Sequence, residues 1–196
     1  MESTAGKNTR REALDLQTTF NQVRNSVGIL VEIMEEVSGK KEKQTEIERD
    51  TAIIKKLRSM GSRIAKSFAR YWTPDIKAID EMLVNIYKKI FGSRVTVTQP
   101  ADKQTTLKNF KGKKIFHVED SSCPLCKKIR QTNISGCEIE LGFVEGLFKV
   151  MHDLHPGMDV PLLKAGEVTE TKTRGDKRCV HMYMLDRPET MSYSEI

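Results

Sequence analysis

The sequence has no long apolar run and no hydrophobic leader. No stretch of its 196 residues approaches the roughly eighteen consecutive apolar residues that read as a membrane-spanning helix. Residues 1–12 are polar and lack the apolar core of a secretory signal, which predicts a cytoplasmic protein, at most peripheral to a membrane. We therefore expect a reducing environment, where cysteines bind metal or do redox chemistry more often than they form structural disulfides.

Sequence motifs typical of catalysis are also absent. The chain has no phosphate-binding P-loop, no glycine fingerprint for dinucleotides, no nucleophile elbow and no His-Glu-x-x-His helix. Aromatic residues amount to 6% with a single Trp, and no helix-turn-helix is found, so nucleic-acid binding has little support. We therefore predict a protein that is not an enzyme. The net charge of +6 permits contact with an anionic partner without selecting one.

All four cysteines lie in the second half of the chain. Cys123 and Cys126 form a Cys-x-x-Cys knuckle on one turn, whereas Cys137 and Cys179 come from two separate elements. Four soft ligands of this kind suit a tetrahedral Zn²⁺ ion, which makes no geometric demand of its own. The pattern therefore predicts a structural zinc site, because a full set of protein ligands leaves no open position for water.

Other interpretations of these residues stay open from the sequence. Cys137 and Cys179 are also compatible with small buried apolar residues, and the knuckle is compatible with dithiol exchange. Strand alternation places His181 on the same face as Cys179, which makes His181 an alternative to one cysteine ligand. The pair His152 and His155 has metal-binding spacing, but it precedes a Pro-Gly dipeptide and favours a solvated helix end.

Apolar periodicity predicts three helices in the first half of the chain. Their apolar residues recur every three or four positions, and glycine or proline limits each helix. The three stripes are Leu16, Phe20, Val23, Val27, Leu30, Met34 and Val37; Ile47, Ile54, Leu57, Gly61, Ile64, Phe68 and Tyr71; and Ile76, Ile79, Leu83, Ile86, Tyr87 and Ile90. Gly61 lies within its stripe, where a missing side chain would let another backbone come close.

The second half predicts strands and one more helix. Alternation and β-branched residues indicate strands at 94–98 and 114–118, and a terminal hairpin of 167–173 with 179–185 around a Gly-Asp turn. Between them, apolar residues at helical spacing predict a helix over 138–154.

On this last helix, Gly142 and Gly146 lie one turn apart and would allow close packing. The order of elements predicts a single α+β domain over residues 14–186. In it, three N-terminal helices and a further helix pack on a small twisted antiparallel sheet, and residues 1–13 and 187–196 form tails.

Two stretches carry motifs of a known superfamily. Residues 56–64, KLRSMGSRI, and the helix at 79–91 are similar to two helices of TRAPP vesicle-tethering subunits. Residues 137–146, CEIELGFVEG, with Glu170 and the Gly-Asp turn, are similar to the helix and hairpin of 4-vinyl-reductase, or hydrocarbon-binding, sensory domains. The chain thus resembles the superfamily that joins these two families, and a prokaryotic (archaeal) member of it.

The resemblance implies a non-catalytic, zinc-stabilised assembly or scaffold subunit. Such a subunit would form a homodimer or a heterodimer with a related subunit, and would present a basic face to a membrane or a small GTPase. The alternative is a sensory module that binds a small hydrophobic ligand in a zinc-braced pocket. In that geometry Glu170 is a further candidate ligand of the metal.

Two departures from the superfamily patterns bear on these expectations. Thr173 stands where sensory relatives have a second Cys, so Cys123 and Cys126 would supply the missing thiolates. Residues 71–74, YWTP, lack the Cys on which some TRAPP subunits hold an acyl chain. Covalent acylation of this chain is therefore not expected.

Overall fold

The computed structural model of the protein describes residues 45–100, 114–126, 133–156 and 160–186, together with 14, 18, 21, 22, 30–34 and 36. The elements from residue 45 onward are α1 (Glu46–Phe68), α2 (Ile79–Ile86), β1 (Val95–Thr98), β2 (Ile115–Asp120), α3 (Glu138–Leu154), β3 (Leu162–Glu170) and β4 (Cys179–Asp186). A single π-helical turn, Tyr87–Phe91, extends α2. No described helix is long and apolar enough to cross a membrane. The predicted α+β fold class is confirmed.

Most of the first predicted helix falls outside the described residues, as do the predicted tails. Its described positions are all helical. Val31 is fully buried in the core, whereas Leu30 and Met34 of the predicted stripe are only half-buried. The bounds 14–186 for the domain therefore stay a prediction.

Helix α1 begins with a reciprocal cap and buries a narrow face. The Thr45 hydroxyl accepts from the Glu48 amide at 3.3 Å, and the Glu48 carboxylate accepts from the Thr45 amide at 3.0 Å. The buried residues repeat every four positions and are Ile53, Leu57, Gly61 and Ala65. The apolar stripes wrongly included Ile47, Tyr71 and Ile76, which are 79%, 45% and 41% exposed. Ile47 precedes the start of the buried stripe, and Tyr71 follows the end of the helix.

The four strands form one antiparallel sheet in the order β1-β2-β4-β3. Two predicted strands had wrong bounds: β2 continues to Asp120 instead of ending at 118, and β3 is Leu162–Glu170 instead of 167–173. Polar residues within β3 obscured its alternation, and β-bulges interrupt its pairing with β4 between Ala165 and Glu170. The predicted turn is confirmed, because Gly175 follows a short 3-10 turn with a φ of 93°.

Helix α3 lies at the centre of the molecule, against α1 and the sheet. The glycine prediction is confirmed by the contact of the two helices: a Cβ on Gly61 would meet the backbone of Ile139 and Phe143, and one on Gly142 would meet the backbone of Arg58, each below 3.0 Å. A Cβ on Gly146 would lie 2.7 Å from the Ser62 hydroxyl. The helices therefore cross with their backbones in direct contact.

Candidate metal centre

The four cysteines converge on one point from three elements. Cys123 and Cys126 lie on the turn that follows β2, Cys137 is the residue before α3, and Cys179 opens β4. The register of the sheet pairs Asp120, the last residue of β2, with Cys179. That pairing brings the knuckle beside the start of β4, although more than fifty residues separate them in the chain.

The start of α3, and with it Cys137, is held in place by Arg58 of α1. The Arg58 guanidinium donates to the Glu138 carboxylate at 2.6 Å and to the Gly166 carbonyl at 2.7 Å. Burial raises the pKa of the Glu138 carboxyl, and the charge and hydrogen bond of Arg58 oppose that rise. One side chain therefore ties together α1, α3 and β3.

The sulfur atoms are close enough to share one ion. The Cys137 sulfur lies 3.2 Å from that of Cys123 and 3.1 Å from that of Cys126, and all four sulfurs lie within 4.8 Å of one another. Tetrahedral zinc with Zn–S bonds of about 2.3 Å places its sulfurs about 3.8 Å apart. A disulfide would need a separation of about 2.05 Å. The set is thus a group of free thiols with dimensions near those of a tetrathiolate metal site.

All four cysteines are buried, and hydroxyl groups surround their sulfurs. The Cys126 sulfur lies 3.5 Å from the hydroxyls of both Ser135 and Thr171, and Cys179 lies 3.8 Å from Thr171. Such donors orient and stabilise thiolate ligands. The hydrogen bond with Cys123 lowers the pKa of Cys126 to about 7, whereas burial raises the pKa of Cys137. Hydrogen bonds from the other three thiols lower the pKa of Cys179 as well, so the cluster lowers the pKa of two of its thiols.

The alternative ligands predicted from the sequence differ in whether they face the four sulfurs. Glu170 is directed away, because its carboxylate forms an ion pair with Arg178 at 3.0 Å and is 43% exposed. The idea of Glu170 as a ligand is therefore wrong for this geometry. Thr173, at the position of the sensory-type cysteine, is buried and lies 3.1 Å from the Thr171 hydroxyl. His181 lies near Cys137 and also near the carboxylate of Glu140, and the two residues are described together below.

The remaining sequence hypotheses find little support in the structure. His152 places its Nδ1 2.9 Å from the Val160 carbonyl, which favours a structural role at the end of α3. Neither it nor His155 joins a metal-binding group among the described residues. Cys123 and Cys126 are 0% and 3% exposed, which argues against dithiol exchange with a soluble partner.

A second polar cluster adjoins the cysteines, and of its members the sequence identified only His181 as a candidate. Glu140 and His181 are completely buried, and the Glu140 Oε2 lies 3.7 Å from the His181 Nε2. The Tyr87 hydroxyl lies 2.6 Å from the His181 Nδ1 and 2.7 Å from the Tyr183 hydroxyl. Burial, with Asp120 nearby, raises the pKa of the Glu140 carboxyl well above its usual range. One sequence signal existed: Glu140 follows Cys137 by three residues, on the same face of α3.

No family model and no curated protein sequence matches the chain. Among solved structures, the chain is similar to trafficking protein particle complex subunit 3 from Naegleria fowleri, crystallised covalently bound to palmitic acid. The TM-score is 0.58, the identity is 15%, and the match covers 87% of this chain and 96% of that chain. The likeness at this identity shows the fold alone, and it confirms the expected TRAPP-like fold. The archaeal origin and the 4-vinyl-reductase part stay predictions. The chain therefore has the fold of a TRAPP subunit.

Proposed function

We propose that the chain is a non-catalytic assembly subunit of the TRAPP type, stabilised by structural zinc and acting as a dimer at a membrane surface. The proposed zinc ligands are Cys123, Cys126, Cys137 and Cys179. The fold supports a scaffold role, and the compact thiol cluster supports the metal. The observation that carries the proposal is a line of positive charge on the outer face of α1.

This basic stripe consists of Lys55, Lys56, Arg63 and Lys66, all of them exposed. At 3.6 residues per turn, the four side chains fall within an arc of about 100°. The buried residues of α1 lie on the opposite side of the helix. Residues 55–70 contain no Asp or Glu, so no acidic side chain within this part of the helix offsets the stripe.

A stripe of this kind suits a negatively charged lipid surface. Anionic headgroups attract basic residues within about a Debye length, which is about 8 Å at physiological ionic strength. The four side chains lie on one face of one helix, so their charges approach a flat surface together. We therefore propose peripheral attachment on the cytoplasmic side of a membrane. The other partner whose charge is opposite to that of the stripe is an acidic protein such as a small GTPase.

Exposed apolar side chains support dimerisation through the helical layer. The large apolar residues that are exposed in the described part of the chain are Leu14, Ile33, Ile47, Tyr71, Ile76, Val84 and Leu154. All but Leu154 lie between residues 14 and 84, in the helices or their connections. Where such side chains form a contiguous patch, they are typical of an interface. A second copy or a related subunit would cover it.

Vesicle flotation tests the membrane role. We expect the protein to float with phosphatidylserine-containing vesicles at low salt and to dissociate as salt rises. Each lysine near the surface contributes about 1 kcal/mol, so Lys55→Glu with Lys66→Glu should weaken binding by roughly 30-fold or more. The control is Lys149→Glu with Lys177→Glu, which changes the net charge equally away from the stripe. Equal weakening by both pairs would contradict the proposed surface.

Native mass spectrometry of freshly purified protein, without chelator, tests the assembly and the metal together. We expect a dimer in which each chain retains zinc and no small organic molecule. A chain that retains zinc and a stoichiometric apolar ligand would instead support the sensory module. A metal-free chain lighter by two hydrogens would mean that two of the thiols form a disulfide, and the zinc proposal would fail.

A further inference from the structure

We propose that the protein binds a second divalent cation directly beside the four-cysteine cluster, held by Glu140 and His181 and sharing the sulfur of Cys137. This site depends on the proposed zinc site only through that shared thiolate.

Unpaired buried atoms mark the position. Among the residues that the structure describes, neither carboxylate oxygen of Glu140 has a hydrogen-bond partner, and neither does the Nε2 of His181. Both side chains are 0% exposed, so bulk solvent does not reach these atoms. Burying such groups without partners is unfavourable by several kcal/mol, and native proteins rarely tolerate it. A ligand that contacts both side chains would remove that penalty.

The spacing suits a metal ion. The Glu140 Oε2 and His181 Nε2 are 3.7 Å apart. Two ligand atoms at about 2.1 Å from one ion, at a tetrahedral angle, are separated by about 3.4 Å. The observed separation is slightly larger, and a small side-chain movement would close it. It is also too long for a direct hydrogen bond.

Cysteine and aspartate complete the set of donors. The Cys137 sulfur lies within 4.8 Å of both a Glu140 oxygen and a His181 nitrogen. Asp120 forms a second group of the same size with Glu140 and Cys123, and its Oδ2 also has no partner within the described part of the chain. Glu140 is common to both groups. The second ion would thus sit between Glu140, His181 and Cys137, and the Asp120 carboxylate also lies near that of Glu140.

The tyrosines orient the histidine for this role. When the His181 Nδ1 carries the proton, it donates to the Tyr87 oxygen, and Tyr87 donates in turn to Tyr183. The Nε2 lone pair then faces Glu140. Metal-binding histidines commonly have the other ring nitrogen fixed by such a hydrogen bond. Tyr87 is therefore a positioning residue for the second ion.

The chemistry of the donors selects the class of ion. An imidazole, a carboxylate and a thiolate favour Zn²⁺, Fe²⁺ or Co²⁺ over the oxygen-preferring Mg²⁺ and Ca²⁺. Four thiolates around one zinc ion leave a net negative charge in a buried position. A neighbouring cation would offset part of that charge, because the two ions share a ligand.

Cobalt(II) titration of the metal-free full chain tests the site. We expect two cobalt ions per chain, with strong thiolate-to-cobalt absorption from the cysteine cluster. Glu140→Gln should reduce the stoichiometry to one while the cluster keeps its thiolate absorption, since the amide preserves size but binds metal poorly. Tyr87→Phe should weaken the second ion by about ten- to hundredfold and leave the first unchanged.

The control is Glu145→Gln, on the same helix. Glu145 accepts from the Ala165 amide at 3.2 Å, and glutamine can keep that bond, so two ions should remain. One cobalt per wild-type chain with full thiolate absorption would overturn the second site and leave the cysteine site intact. Two ions in folded Glu140→Gln protein, checked by circular dichroism, would also overturn it. Absence of thiolate absorption would remove both sites.

Discussion

Replacing Cys137 or Cys179 by serine is expected to abolish stoichiometric zinc and to destabilise the protein strongly. Each sulfur lies at the point where a knuckle, a helix and a strand meet, so a structural ion there would crosslink all three. Loss of a metal is among the changes that lower the free energy of unfolding by about 4 kcal/mol or more. For a chain of this size, that corresponds to a melting temperature roughly 10 °C lower. Elemental analysis and thermal melts, with and without added zinc, measure both effects.

A chelator supplies the control for this prediction. Wild-type protein stripped of metal should melt close to the serine variants, because the ion is then absent from both. The remaining difference should be that of an ordinary buried substitution, about 1 kcal/mol. Unchanged melting of Cys137→Ser and Cys179→Ser in the presence of zinc would refute the structural zinc site.

Gly142→Ala is expected to destabilise the protein although alanine is the better helix former. In an exposed helix the exchange would stabilise by about 1 kcal/mol. Here the added Cβ would overlap three backbone atoms of Arg58, and no side chain can rotate away to make room. Overpacking typically lowers the free energy of unfolding by about 1–3 kcal/mol. We expect a loss at the upper end of this range, because α1 itself must move. Urea denaturation monitored by circular dichroism measures the change.

Ser59→Ala is the matched control for helix packing. Ser59 is exposed on α1, next to Arg58, and its exchange should change the unfolding free energy by no more than about 0.5 kcal/mol. Gly61→Ala should behave like Gly142→Ala, since its Cβ would meet the backbone of Ile139 and Phe143. A neutral or stabilising effect at both glycines would contradict the close approach of the helices.

Much of the cysteine arrangement could be predicted from residue types and spacing. A Cys-x-x-Cys turn brings its two sulfurs together by local geometry alone. The ligand chemistry of cysteine predicts that Cys137 and Cys179 join this turn. No local rule, however, places these two residues in contact with it. For Cys179, the contact results from the register between β2 and β4, which pairs Asp120 with Cys179.

The Glu140 cluster could not be predicted in the same way. In the sequence, Glu140 is one of many acidic residues, and helical periodicity normally assigns such a residue to a solvated face. Because α3 packs against α1 on one side and the sheet on the other, the face that carries Glu140 is buried as well. His181 was identified from strand alternation, but its contacts with Tyr87 depend on the π-helical turn after α2.

The sequence by itself determined the class of fold, most of the helices and strands, and the four thiols, because periodicity and ligand chemistry are local properties. The helix over 138–154 was predicted with the bounds that α3 has. The tertiary structure decided which distant residues meet: the contact of Gly61 and Gly142 with facing backbones, the bond of Arg58 with Glu138, and the burial of Glu140 beside His181. These contacts join residues far apart in the chain, so they are set by the packing of α3 between helix and sheet, which no local pattern specifies.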